Sequence, residues 1–160
     1  MTDLERQAEE LLQKLRELRL RLATAESCTG GLIAATLTAI AGSSDVVERG
    51  FVTYSNDAKS EMLGVPPSLI ATHGAVSEEV ARAMAEGALT TSPADIAIAV
   101  TGIAGPGGAT AAKPVGLVHL AAARRGAATR HERQVFPGNR GEVRRATVAR
   151  AFALVRLVIG

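Results

Sequence analysis

Cysteine and aromatic residues are scarce in this sequence of 160 residues, which has one cysteine, one tyrosine, three phenylalanines and no tryptophan. One cysteine excludes an internal disulfide and a metal site built from cysteines. So few aromatic rings also argue against a stacking platform for single-stranded nucleic acid. We therefore expect no nucleic-acid partner.

Long hydrophobic runs are missing as well. No apolar stretch approaches the ~20 residues of a membrane-spanning helix, so we expect no membrane partner. The N-terminal segment, residues 1–18, is charged and patterned as a helix, which differs from a signal peptide. Together these absences predict a cytoplasmic protein.

Charge is unevenly distributed, although the formal net charge is only +2. Residues 1–123 carry 9 basic and 14 acidic groups, whereas residues 124–160 carry 9 arginines and 2 glutamates. The basic end could bind an anion such as phosphate, pair with the acidic remainder, or stay solvated. Lysine is rare beside fifteen arginines, which draws attention to Lys59, because lysine can give up a proton where arginine cannot.

Hydrophobic spacing and capping residues predict alternating helices and strands. Thr2 and Glu5 form a capping box, and we expect Asn56 and Ser77 to cap two further helices. The predicted helices cover residues 3–19, 29–42, 56–64, 66–74, 78–90 and 141–159. The predicted strands cover residues 20–26, 49–55, 94–102, 115–123 and 129–136, the last two as an antiparallel hairpin.

This order of elements indicates the fold class. Alternating strand and helix units with a terminal hairpin imply a mixed sheet covered by helices on both faces. Hydrophobic residues make up 47% of the chain, which is enough for the core of one domain. We predict a single-domain three-layer α/β/α sandwich with a mixed, mostly parallel sheet.

The segment AESCTGG, residues 25–31, joins a predicted strand to a predicted helix, and its Ser27 has two interpretations. The hydroxyl can cap the helix by accepting from N–H groups of the first turn. Alternatively, Ser27 is a nucleophile at the sheet end, where sites of α/β proteins gather, and Gly30 and Gly31 let a ligand approach the backbone. Free N–H groups at the helix N-terminus would then suit a developing oxyanion.

Cys28 competes with Ser27 as nucleophile, because a thiol at a helix N-terminus has a lowered pKa. The three histidines show no spacing that suggests a partner for a thiolate. For Ser27 the candidate base is Lys59, which must be neutral and therefore needs a strongly lowered pKa. Parallel neighbouring strands would bring Lys59 and Tyr54 close to Ser27. Otherwise Lys59 is a solvated helix charge and Tyr54 a core aromatic.

A glycine-rich loop follows the strand predicted over 94–102, with four glycines in residues 102–108. This density suggests backbone packed around a small ligand or an oxyanion, although a plain turn would fit as well. Lys113 could direct a positive charge at the same place. Arg140 begins the closing helix, where a guanidinium suits a phosphate or carboxylate, unless it is simply a surface arginine.

Six motifs occur in an order and spacing that resemble the C-terminal domain family of the competence-damage-inducible protein CinA. They are AESCTGG, VTYSNDAK, GAVSEEVARAMAEGA, VTGIAGP, KPVG and GNR, and the resemblance covers residues 5–158. The family includes stand-alone nicotinamide-nucleotide amidohydrolases. The resemblance therefore implies hydrolysis of the amide of nicotinamide mononucleotide to nicotinate mononucleotide and ammonia, in pyridine nucleotide salvage. It implies no metal and no cofactor.

The resemblance also implies roles for individual residues. Ser27 would be the nucleophile, Lys59 the base, and Tyr54 would fix the base or relay its proton. Backbone N–H groups near Cys28–Gly31 would hold the oxyanion, and Arg140 would meet the phosphate. The predicted substrate-binding residues are Cys28, Thr29, Gly30, Gly31, Thr101, Gly102, Gly105, Gly108 and Arg140.

The sequence departs from the family pattern at two positions, either of which could alter substrate affinity. Asn139 replaces the aspartate of the family's G-D-R turn, and His119 stands where the family often has tyrosine. We expect one domain over residues 1–160, without the additional N-terminal domain of longer CinA proteins. We also expect a small-molecule nucleotide as partner and a homo-oligomer of two or more copies. The alternative to an enzyme is a nucleotide sensor or protein-interaction module that keeps the pocket without the chemistry.

Overall fold

Helices and strands alternate along most of the chain in the computed structural model, which describes residues 1–160. The strands are β1 Leu22–Glu26, β2 Val47–Val52, β3 Ile96–Gly102, β4 Leu117–Arg124 and β5 Arg130–Val135. The helices are α1 Asp3–Leu18, α2 Leu32–Thr38, α3 Asn56–Leu63, α4 Pro67–His73, α5 Glu78–Thr90 and α6 Arg140–Ile159, with a short 3-10 turn over Ser43–Asp45. None of these helices combines the length and the apolar character that crossing a bilayer requires.

The five strands form one sheet in the order β2-β1-β3-β4-β5. β1 pairs in parallel with β2 and β3, whereas β4 is antiparallel to β3 and β5. Four of the five strands therefore run in the same direction, and the carboxyl ends of β1, β2 and β3 meet at one edge of the sheet. The prediction of a mixed, mostly parallel sheet between two layers of helices is confirmed.

The two faces of the sheet carry side chains of different size. On one face, large side chains such as Leu22, Ile98 and Leu120 pack against α1, α2 and α6. On the other face, the buried sheet residues of the core are all alanine, and α5 covers them, with α3 and α4 packed against α5. The second layer is closely packed, because a Cβ atom at Gly87 in α5 would lie 1.9 Å from the carbonyl oxygen of Leu63 in α3.

The main difference from the sequence prediction lies between β1 and α2. The helix covers only Leu32–Thr38 instead of residues 29–42. Gly30 and Gly31 have φ angles of 57° and 104°, so the chain makes a left-handed turn before the helix can begin. Apolar residues continue beyond the other end of the helix as Ala39, Ile40 and Ala41, which is why periodicity extended the predicted helix to residue 42.

Most of the predicted caps are present. The capping box of Thr2 and Glu5 and the Ser77 cap of α5 are confirmed. α3 is capped by Ser55 rather than Asn56, because the Ser55 hydroxyl accepts from the N–H group of Ala58, three residues further on. β2 ends at Val52, three residues earlier than predicted.

Candidate active site

A cavity of about 260 Å³ opens at the edge of the sheet where β1 and β3 end. This volume lies near the lower end of the ~300–1,000 Å³ range of small-molecule sites. Its walls come from separate parts of the chain, which only the folded structure brings together. The lining residues are Ser27, Cys28, Tyr54, Asn56, Lys59, Ala75, Val76, Thr101, Gly102, Ile103, Ala104, Gly105, Gly107, Gly108 and Arg140.

Ser27 and Lys59 form a close pair in the wall of this cavity. Ser27 Oγ lies 3.0 Å from Lys59 Nζ. The Nζ atom also lies 2.9 Å from the carbonyl oxygen of Thr53 and 3.5 Å from those of Tyr54 and Ser55. Lys59 is only 1% exposed, and no carboxylate forms a salt bridge with it. It is therefore a buried amine, not a solvated helix charge.

Burial lowers the pKa of the Lys59 side chain below its usual value of 10.5. Once the proton is lost, the amine has two N–H donors and one lone pair. Main-chain carbonyls around Nζ can accept from the two donors, which leaves the lone pair for the hydroxyl proton of Ser27. This is the arrangement of a nucleophile and its general base.

The register of β1 and β2 explains why these two residues meet. The strands run parallel with Glu26 opposite Val52, and the Thr53 N–H group donates to the Glu26 carbonyl at 2.8 Å. Ser27 therefore leaves the sheet beside the segment that leads into α3. Lys59 lies in the first turn of α3, where side chains lean back toward the helix N-terminus and hence toward the sheet edge.

Ser27 does not cap α2, so that interpretation of the sequence was wrong. The helix begins at Leu32, and its N-cap residue is Gly31, which has no side chain to accept a hydrogen bond. Two N–H groups of the first turn donate instead to the buried carboxylate of Glu26, at 2.9 and 3.0 Å. Because Glu26 satisfies the helix N-terminus, the Ser27 hydroxyl is left to Lys59.

Cys28 lines the cavity, but its thiol is poorly suited to attack. Burial, together with the charge of Glu26, raises the pKa of this thiol to about 12. The expected lowering of the Cys28 pKa was wrong, because the helix N-terminus lies four residues further on than residue 28 and cannot outweigh desolvation. A thiolate at this position is therefore disfavoured.

The predicted substrate-binding residues divide into two groups. Cys28, Arg140 and the residues of the glycine-rich loop, namely Thr101, Gly102, Gly105 and Gly108, line the cavity. Thr29, Gly30 and Gly31 lie outside its lining. Thr29 is buried and its hydroxyl donates to Glu26, while the two glycines shape the turn, so these three residues build the support of Ser27.

Tyr54 contacts Arg140 and not the Ser27–Lys59 pair. Its hydroxyl accepts from the Arg140 guanidinium at 3.0 Å, and the same guanidinium donates to the Gly105 carbonyl at 2.9 Å. Tyr54 is 62% exposed, so it is not a core aromatic. The predicted direct contact of the phenol with the base is absent because the side chain leaves the sheet edge toward α6, and only the Tyr54 carbonyl approaches Lys59.

Sequence reasoning missed several residues of the cavity wall. Asn56 lines the cavity and is one of only two asparagines in the chain. From the sequence, its position two residues after Tyr54 was explained by the prediction that it caps a helix. Ala75 and Val76 carry no polar signal at all.

Lys113 does not line the cavity, although the sequence suggested a charge directed at the glycine-rich loop. Its ammonium donates instead to the carbonyl of His73 at the end of α4, at 2.7 Å.

His119 and His131 form a second close pair of polar side chains. Their rings stack on each other, and neither residue lines the cavity. His119 Nδ1 and His131 Nε2 are 2.8 Å apart across the β4–β5 hairpin. Burial, together with the neighbouring charges of His131 and Arg133, lowers the pKa of His119 to about 4. His131 lies 3.7 Å from Glu78 of α5, so the two imidazoles belong to a network between sheet and helix.

Comparisons with known proteins identify relatives along nearly the whole chain. The family model of the CinA C-terminal domain matches residues 4–159. A CinA-like protein of Akkermansia muciniphila is 57% identical over 134 residues, which are 84% of this chain and 32% of that protein. A CinA-like protein of a Geobacter species is 58% identical over 142 residues, 89% of this chain and 34% of that protein. The chain thus spans about a third of the length of these curated relatives.

Solved structures resemble the whole chain. The competence/damage inducible protein CihA from Agrobacterium tumefaciens has a TM-score of 0.95 and 51% identity, over 99% of this chain and 96% of that one. A protein of the competence-damaged protein (CinA) superfamily from Escherichia coli has a TM-score of 0.90 and 36% identity, over 99% and 92% of the two chains. The similarity therefore includes the sheet and both layers of helices.

Proposed function

This chain belongs to the family of CinA C-terminal domains, and from that premise we propose that it is an amidohydrolase acting on nicotinamide mononucleotide. The products would be nicotinate mononucleotide and ammonia, as in pyridine nucleotide salvage. The observation that carries the proposal is the 3.0 Å contact between Ser27 Oγ and Lys59 Nζ in the wall of a cavity. A buried lysine without an acidic partner is costly when charged, which favours a role for its neutral form.

In the first half of the proposed reaction, the acyl group is transferred to Ser27. Neutral Lys59 removes the hydroxyl proton as Ser27 Oγ attacks the carboxamide carbon and forms the new C–O bond. Lys59 then returns a proton to the amide nitrogen, the C–N bond breaks and ammonia leaves. The positive charge of the pyridinium ring would help to keep Lys59 neutral.

In the second half, water cleaves the nicotinoyl ester. Lys59 takes a proton from the water as its oxygen attacks the ester carbon, and the same proton returns to Ser27 Oγ as the ester bond breaks. Nicotinate mononucleotide leaves and Ser27 is free for another cycle. One base therefore serves both steps.

Backbone N–H groups would stabilise the negative charge that develops on the carbonyl oxygen. No other residue accepts from the N–H of Cys28, which directly follows the proposed nucleophile and lines the cavity. The N–H groups of residues 104, 105, 107 and 108 in the glycine-rich loop are likewise without a protein acceptor. Donors held in place before the reaction are the main source of this kind of stabilisation.

Arg140 is the proposed partner of the substrate phosphate. Its contacts with Gly105 and Tyr54 fix the guanidinium beside the cavity. A guanidinium has five N–H donors, so donors remain for phosphate oxygens. In this proposal Tyr54 orients Arg140, and the glycine-rich loop surrounds the nucleotide.

Ammonia release by the purified chain tests the proposal. We expect ammonia from nicotinamide mononucleotide with the native sequence and with Cys28→Ala, and none with Ser27→Ala, although circular dichroism should show the same fold. Free nicotinamide serves as the control amide without a phosphate. Binding of the mononucleotide without ammonia release would instead favour a non-catalytic sensor, and activity in Ser27→Ala would overturn the assigned nucleophile.

A further inference from the structure

The turn that carries the nucleophile, residues 27–31, is held from two sides by charged groups outside the cavity lining. From within the fold, the Glu26 carboxylate accepts from the Thr29 hydroxyl at 2.5 Å and from two N–H groups of α2 at 2.9 and 3.0 Å. From α6, the Arg144 guanidinium donates to the Thr29 carbonyl at 2.8 Å. Glu26 is completely buried, so these donors replace the water that would otherwise surround its charge.

Backbone hydrogen bonds also hold this turn. The Ser27 N–H group donates to the Val100 carbonyl at 3.1 Å, and the Gly30 N–H group donates to the Ser27 carbonyl at 3.0 Å. At its end, N–H groups of α2 donate to the carbonyls of Thr29 and Gly31 at 3.0 and 2.8 Å. Gly30 and Gly31 both have positive φ angles, and glycine has more conformational freedom to lose than any other residue. The side-chain contacts of Glu26 and Arg144 with Thr29 add to these backbone bonds in placing the backbone after Ser27.

We propose that Arg144 is a positioning residue for the Ser27 nucleophile. Together with Glu26 it fixes the turn, so that Ser27 faces Lys59 and the Cys28 N–H group faces the reacting carbonyl. This role rests on the proposed amidohydrolase function, since it concerns the same reaction. It requires no contact between Arg144 and the substrate, in contrast to the role of Arg140.

The charge of Arg144 adds to its geometric effect. The positive charge of Arg144 is felt in the turn. Burial and Glu26 raise the pKa of the Cys28 thiol, and Arg144 acts in the opposite direction. A buried carboxylate beside the nucleophile would disfavour an oxyanion there, and the nearby guanidinium offsets this effect. Loss of Arg144 should therefore affect the transition state, which carries the oxyanion, more than substrate binding.

The next residue in α6 offers a matched control. Arg145 has the same charge and lies on the same helix, but it is exposed and forms no hydrogen bond with the turn. Substituting each arginine with glutamine removes the same charge from neighbouring positions. Only the substitution of Arg144 removes the bond to Thr29.

Steady-state kinetics with nicotinamide mononucleotide tests the proposal. For Arg144→Gln we expect kcat to fall about 10- to 100-fold, the effect of a small misplacement of reacting groups. KM should change less than about twofold, because the lost interaction acts in the transition state. Arg145→Gln should match the native chain, and Arg144→Lys should recover part of kcat, because its ammonium can still donate to the Thr29 carbonyl.

Amide hydrogen exchange over residues 27–34 gives a second measurement that needs no activity. We expect faster exchange in Arg144→Gln and in Glu26→Gln than in Arg145→Gln or the native chain. If the native chain releases no ammonia, the proposed function fails, while exchange still decides whether Arg144 fixes the turn. Equal exchange and equal kcat in Arg144→Gln and Arg145→Gln would overturn the proposal, as would a rise in KM without a fall in kcat.

Discussion

The Ser27–Lys59 pair and the His119–His131 pair look alike when distances and burial are considered alone. Each is joined by one close contact, of 3.0 Å and 2.8 Å respectively. Each contains a base whose pKa is lowered mainly by burial. Both pairs were candidates for chemistry by the ordinary criterion that perturbed pKa values cluster at functional sites.

Their surroundings separate the two pairs. Ser27 and Lys59 line a cavity, and no other residue accepts from the Cys28 N–H group beside them. The imidazoles are outside that cavity, and Glu78 and its ion-pair partner Arg82 lie next to His131. A substrate can therefore reach the first pair, whereas the second pair joins β4 and β5 to α5. Access and unused donors, more than proximity, therefore favour Ser27 and Lys59 over the two histidines as the proposed reactive pair.

Among the substitutions that test this difference between the two pairs, Lys59→Arg should have the largest effect on activity. We expect a loss of kcat/KM of about 10²- to 10⁴-fold, nearly as large as for Lys59→Ala, because arginine keeps the charge but cannot release its proton. Ammonia release from nicotinamide mononucleotide measures the effect. Substantial activity in Lys59→Arg would mean that Lys59 supplies charge and is not the base.

Arg140→Ala should have the next largest effect, on substrate binding. A lost charge-assisted contact costs about 1.5–3 kcal/mol, which corresponds to a rise in KM of roughly 10- to 150-fold with a smaller change in kcat. Initial rates over a range of mononucleotide concentrations give both constants. Arg145→Ala is the control with the same loss of charge, and an unchanged KM in Arg140→Ala would place the phosphate elsewhere.

The pH profile should show the lowered pKa of Lys59. In the proposed mechanism the neutral amine is the active form, so activity should rise with pH through a pKa below the usual 10.5 and fall about tenfold for each pH unit below that pKa. Rates of the native chain between pH 5 and 10, with stability checked at each pH, measure this rise of activity with pH. A rate that is independent of pH across that range would speak against a lysine base.

His119→Gln should have the smallest effect on catalysis, within about twofold in kcat/KM near neutral pH, since nothing places this residue at the reacting groups. Its effect should appear in stability at acid pH. The folded pKa of about 4 lies below the ordinary 6.5, so the contribution of neutral His119 is present above 6.5 and is lost as pH falls toward 4. The Tm of His119→Gln should therefore depend less on pH in that interval than the Tm of the native chain.

An exposed histidine provides the control for this last prediction. His73→Gln removes an imidazole that lies at the end of α4, outside the network of His119. Its Tm should follow that of the native chain between pH 6.5 and 4. If His119→Gln and His73→Gln behave alike, the imidazole pair does not control acid stability.

Much of the fold could be predicted because the signals are local. The periodicity of α1, its capping box and the apolar run of β3 involve residues that are neighbours in the chain. The turn before α2 escaped prediction, because Glu26 caps the helix from seven and eight residues away through its buried carboxylate. A cap from that distance has no simple sequence signature.

The residues available for chemistry could be read from the sequence alone: a serine between a strand and a helix, a rare lysine, a glycine-rich loop and an arginine at the start of the last helix. Their environments and contacts, in contrast, depend on the tertiary structure. It buried Lys59 against Ser27, raised the pKa of Cys28 where the sequence predicted a lowering, and turned Tyr54 toward Arg140. The physical reason is that desolvation and contact depend on elements far apart in the chain, such as α6 and β1, whose approach no local pattern encodes.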